Sequence, residues 1–160
     1  MEPLIALVGI TCLALLVGAC GVHRLRRLPT ALRGGLAAMF LLTGGAHFIG
    51  MREELVAMVP PDLPSPGLLV TVTGVAEIAG ALALLWRRTA APAAGLLTVL
   101  LIAMFPANVY AADTADTWWD ELIPRTLTQL VFLAAAVTVL ADRIRDRRQA
   151  HVTRDAGRRS

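Results

Sequence analysis

The sequence predicts an all-α integral membrane protein with five transmembrane helices, and three observations predict it. The chain has 160 residues, 56% of them hydrophobic, and a mean hydropathy of +0.65. Soluble domains sit nearer roughly 45–50% apolar. The excess falls in five blocks, each close to the ~20 residues a helix needs to cross hydrocarbon. No block alternates with period two, as the strands of a membrane barrel would.

The first block, Pro3–Val22, could be mistaken for a signal peptide, and "VGAC" at 17–20 resembles a weak lipoprotein cleavage box. A positive leader is missing, however: Glu2 precedes the block and arginines follow it. That order favours an uncleaved helix with its N-terminus outward. Cys12 and Cys20 lie in this block. On a helix their separation is about 12 Å of rise, too far for a mutual disulfide. They read as two buried, apolar-like thiols. The second block, Gly34–Gly50, either ends there or continues toward Met58. Leu68–Trp86, Ala93–Tyr110 and Leu122–Ala141 complete the set. Residues 1–141 thus form one transmembrane domain, and 142–160 a basic tail expected to be mobile.

All the basic residues are arginine, and their placement sets an orientation. Arg24, Arg26, Arg27 and Arg33 follow the first block, Arg87 and Arg88 the third, and seven more fill the tail. The intervening loops are acidic, with Glu53, Glu54 and Asp62 in one and Asp113, Asp116, Asp120 and Glu121 in the other. Only Arg52 and Arg125 fall on that side. The positive-inside rule then places the N-terminus outside and the C-terminus in the cytoplasm. Trp118 and Trp119 at the outer face, and Trp86 at the inner, read as interfacial anchors. The tail is expected to be drawn to anionic lipid head groups; nucleic acid is not an expected partner.

Five polar residues sit where hydrocarbon alone would not tolerate them: His47, Glu77, Asn108, Arg125 and Gln129. Glu77 centres the third block, roughly 15 Å below its outer end. A charge there costs roughly 2.5–3.5 kcal/mol on insertion scales, so a partner or a proton must offset it. His47 or Arg125 is the expected partner. The group could bind a ligand or exchange protons, or it could only hold helices together, as interhelical hydrogen bonds commonly do. Gly44, Gly45, Gly74 and Gly80 are expected to permit close helix approach. Pro106 should free backbone carbonyls in the fourth span for Asn108 or another neighbour to satisfy. The loop "MVPPDLPSPG" (58–67) carries Pro60, Pro61, Pro64 and Pro66 and should be a stiff turn, with a lid over the outer opening as the alternative.

Other chemistry lacks its residues. The histidines are His23 in a basic loop, His47 in a span and His151 in the tail, so no bis-histidine haem is available. There is no Cys/His metal cluster and no phosphate-cradling glycine loop. No catalytic residue, metal ligand or redox cofactor is assigned; a quinone is the one cofactor the polar group would suit.

Several elements together resemble the DoxX-like family of small membrane proteins. They are the His-Phe pair in "GGAHF", the proline loop, the G-x-x-E of "GVAE", the P-A-N of "FPANVY" and the Arg–Gln of "PRTLTQL", spread over about residues 33–140. The resemblance implies a four-helix bundle formed by spans two to five, with the first helix and the tail outside it. Members of that family include subunits associated with quinone-linked sulfur oxidation, and more distant relatives include the NACHO-type chaperones of acetylcholine receptor assembly. The implied role is an accessory or assembly subunit of a membrane complex, not an enzyme as an isolated chain. It would sit in the cell membrane, the inner membrane in a bacterium, with a membrane-protein partner or a second copy. The alternatives are a quinone- or lipid-binding subunit of an oxidoreductase and a small-solute or proton transporter.

Overall fold

The computed structural model describes residues 1–113 and 117–159, with side chains as far as Ala150. Every described regular element is helical. The long helices are α1 (Glu2–Ala19), α2 (Leu28–Ala46), α4 (Pro66–Leu85), α5 (Ala90–Ala112) and α6 (Leu122–Arg159). A short helix α3 (Arg52–Ala57) and two 3-10 turns, His23–Arg26 and Trp118–Asp120, lie between them. Asp116 of the second acidic loop lies outside the described residues.

Proline marks the starts. Pro3, Pro29 and Pro66 each occupy the first turn of their helix, where a missing N–H costs nothing and the fixed φ suits the helix. Ser65, with φ 52°, turns the chain sharply into α4. Pro106, by contrast, sits inside the 23-residue α5 without ending it.

Four helices are long and apolar enough to cross a membrane: α1, α4, α5 and the Leu122–Ala150 part of α6. The fifth expected span, α2, is not among them. It starts within the arginine segment and carries Arg33 and four glycines. It is nevertheless the central helix, packing on α1, α4 and α6. Its neighbours are protein on three sides, so small residues that permit contact replace the bulky ones lipid exposure would favour.

Two expected boundaries and one expected burial are corrected. The second block does not continue toward Met58: α2 ends at Ala46, and Gly50, at φ 82°, turns the chain before α3. The last helix does not end at Ala141 but runs on through the basic segment to Arg159. Cys12 and Cys20 are free, but both are exposed on α1 rather than buried.

The core is built from Leu7, Leu36, Met39, Phe40, Leu84, Leu97 and Val139, one or more from each long helix. Glycine sets the closest approaches. A Cβ on Gly44 would lie 2.8 Å from Ile78, one on Gly74 2.5 Å from His47 Cβ, and one on Gly80 2.7 Å from Leu97. Gly45, expected to act likewise, meets nothing within 4 Å.

The arginine-bearing segments meet at one end of the bundle. Arg27 pairs with Asp142 at 3.0 Å, joining the start of α2 to α6. Arg147 donates to the Arg88 carbonyl at 2.5 Å, joining α6 to the α4–α5 turn.

Candidate functional site

The five candidate residues divide into three places. Two of them, His47 and Glu77, sit where α2 crosses α4, and each is only 3% exposed. Gly44 and Gly74 let the helices close to contact there. The partner of Glu77 is neither His47 nor Arg125 but Thr43, whose hydroxyl lies 2.5 Å from Oε2. Thr43 also stands between the two candidates: His47 Nδ1 lies 2.9 Å from the Thr43 carbonyl. A carbonyl only accepts, so Nδ1 carries a proton and donates. The result is a chain of contacts, His47 to Thr43 to Glu77, with Thr43 and His47 one helical turn apart.

This arrangement accommodates a carboxylate or a carboxylic acid. With Glu77 ionised, the Thr43 hydroxyl donates to it. With Glu77 protonated, the acid can donate to Thr43, whose own proton then turns toward the Phe40 carbonyl at 3.5 Å. Among the described residues no cation pairs with Glu77.

Asn108 and Gln129 form the second place, between α5 and α6. Asn108 Nδ2 donates to Gln129 Oε1, and Gln129 Nε2 donates to the Leu101 carbonyl. Pro106 lies in the same stretch of α5. It has no N–H for the carbonyl of Ile102, four residues earlier, and its ring crowds that turn of α5. Gln129, 8% exposed, reaches across from α6 to the carbonyl next in line. Gln129, in contact with Asn108, thus reaches the Leu101 carbonyl and not the Ile102 carbonyl that Pro106 leaves without its donor.

Arg125 is the third place, and it stands apart. Its Nε donates to the Asp120 carbonyl at 2.6 Å and a terminal nitrogen to the Asp120 carboxylate at 3.0 Å. It closes the 3-10 turn at the start of α6. The single cluster expected over four helices is therefore two interhelical pairs and a surface ion pair.

Sequence reasoning missed two residues. Thr43 offered a signal, since it shares a helix face with His47 at i, i+4. Threonines in helices commonly bond back to their own turn, which hides that role. Arg52 offered none. It donates to the His47 carbonyl at 3.3 Å, the Gly67 carbonyl at 3.1 Å and the Thr71 hydroxyl at 3.0 Å. One guanidinium thereby ties the end of α2 to the start of α4, beneath the proline loop.

Residues 36–140 match the family described as Domain of unknown function (DUF8561). The chain belongs to that family. No curated protein and no solved structure matches it. The DUF8561 region runs from Leu36 in α2 to Leu140 in α6, so it holds both interhelical pairs, Arg52 and the proline loop. Helix α1 and the arginine-rich end of α6 lie outside it. Among the described residues of this DUF8561 chain, no three His, Cys, Asp or Glu side chains converge as metal ligands.

Proposed function

We propose that the chain is a multi-pass protein of the cell membrane that serves as an accessory or assembly subunit of a membrane complex. Its partner would be another membrane protein or a second copy of itself. On this reading α2 is a fifth span enclosed by α1, α4 and α6, and spans two to five form a DoxX-like bundle. The arginine end faces the cytoplasm and the N-terminus lies outside. Trp118 and Trp119, exposed and packed edge to face at 4.1 Å, would anchor the outer interface.

The carrying observation is that Glu77, Asn108 and Gln129 are each spent on a contact between helices inside the bundle. Thr43 meets Glu77, and Gln129 meets Asn108 and the Leu101 carbonyl. Polar residues spent on interhelical contacts hold the helices in one arrangement, which suits a scaffold more than an open substrate site. The test is gentle extraction followed by native mass spectrometry. A stoichiometric protein partner or a defined homo-oligomer supports the role, and a strictly solitary chain overturns it.

One observation favours a second reading. Among the described residues Glu77 has a hydroxyl and no cation as its partner, and Thr43 can follow it through either protonation state. That suits a carboxyl handing a proton to a carbonyl ligand such as a quinone, within a membrane oxidoreductase. Bound quinone in the wild-type protein, lost in Glu77→Gln, would support it; protein that neither carries nor takes up quinone would remove it.

A further inference from the structure

At the arginine-rich end, a cleft of about 170 Å³ opens between the α4–α5 turn and α6, lined by Arg87, Arg143, Asp146, Arg147 and Ala150. Its charges are unevenly matched. Arg143 is buried and spoken for: it pairs with Asp142 at 2.6 Å and with Asp146 at 3.2 Å. Those carboxylates also face Arg27, at 3.0 and 3.8 Å. Arg87 has no hydrogen-bond or ion-pair partner among the described residues, and it is exposed at the cleft. Arg147 spends one terminal nitrogen on the Arg88 carbonyl, which fixes its guanidinium while leaving other donors to the cleft. Arg33 lies close enough for the charges of Arg143 and Arg87, opposed by that of Asp142, to act on it. Arginines crowded together without matching carboxylates repel one another, and an anion between them would relieve that repulsion.

We propose that this cleft is a binding site for a phosphate group, held between Arg87 of the turn and Arg147 of α6. Guanidinium donors suit phosphate oxygens in geometry as well as charge. The two arginines come from separate elements, and Arg147 is held in place before any ligand arrives, so less ordering is lost on binding. In a membrane protein the commonest such group at this level is the head group of an anionic phospholipid. That source rests on the membrane reading above; the cleft itself does not. A soluble phosphate ester is the other source of the same chemistry.

The experiment uses the full chain in mild detergent, read by native mass spectrometry after equilibration with phosphatidylglycerol or phosphatidylcholine, with and without inorganic phosphate. The variant Arg87→Gln/Arg147→Gln is compared with Arg24→Gln/Arg148→Gln, which removes the same charge from exposed positions outside the cleft. Arg87→Gln alone breaks no hydrogen bond or ion pair among the described residues and guards against misfolding. The wild type should retain phosphatidylglycerol over phosphatidylcholine. The cleft variant should lose about tenfold in retention, the single variant part of that, and the outside variant less than about twofold. Retention that inorganic phosphate does not displace identifies the lipid. Cleft-dependent binding of inorganic phosphate without lipid preference identifies a soluble phosphate, and both support the site. Equal losses in the two double variants, or no anion preference in the wild type, would overturn it.

Discussion

The hydroxyl of Thr43 and the carboxyl of Glu77 lie 2.5 Å apart across the contact between α2 and α4. Replacing Thr43 with valine keeps the shape and removes the donor. Thr43→Val should lower stability by about 0.6–1.7 kcal/mol, the span measured for interhelical hydrogen bonds in membrane bundles. Thr43→Ser should lose less. Unfolding in mixed micelles with increasing denaturing detergent measures both, and a larger loss in Thr43→Ser than in Thr43→Val would show that the methyl group, not the hydroxyl, matters at this crossing.

Gly74 and Gly80 separate two kinds of close approach. A methyl group on Gly74 would strike Cβ of His47 at 2.5 Å, an atom fixed to the backbone, whereas on Gly80 it meets the side-chain end of Leu97 at 2.7 Å. Leu97 can rotate and His47 Cβ cannot. Gly74→Ala should therefore cost about 1–3 kcal/mol and Gly80→Ala distinctly less. A comparison of melting temperatures ranks the two.

Gln129 supports α5 where Pro106 interrupts it. Gln129→Leu leaves the Leu101 carbonyl and the Asn108 amide without their partner, at a cost of about 1–3 kcal/mol for buried groups left unsatisfied. Restoring the backbone donor with Pro106→Ala should soften that loss. A double-mutant cycle of the two substitutions reads the coupling, and strictly additive effects would separate Gln129 from the proline.

Arg52 ties the His47 carbonyl to Gly67 and Thr71 of α4, at the end of the proline loop, through three hydrogen bonds. Arg52→Gln should loosen residues 58–67 while the bundle stays folded. Faster amide exchange at Leu63, whose N–H bonds the Pro60 carbonyl at 3.0 Å, would report it. Unchanged exchange there would show that the prolines alone stiffen the loop.

Much of the helix layout was legible in the sequence, and particular residues show why. The apolar blocks gave α1, α4 and α5 to within a few residues, because hydrocarbon length and turn residues at the ends are local properties. Of the four glycines expected to permit close packing, Gly44, Gly74 and Gly80 do so and Gly45 meets nothing, because residue type does not say which way a position faces. The lower hydropathy of α2 and its central position were not compatible on hydropathy grounds; enclosure by three helices reconciles them. The basic segment beyond Ala141 looked like a separate tail because charge ends an apolar block, yet charge does not end a helix: Asp142 and Asp146 tie that extension to Arg27 at the start of α2, and Arg147 ties it to the α4–α5 turn.

The sequence by itself determined which residues are polar where apolar ones were expected, along with their order and approximate height on each helix. The tertiary structure alone decided their partners. Glu77 meets Thr43 rather than Arg125, and Gln129 meets Asn108 rather than joining Glu77. Height along a helix follows from counting at a fixed rise per residue. Which side chains face one another depends on the rotation and crossing of each helix, and small residues on several helices together set those.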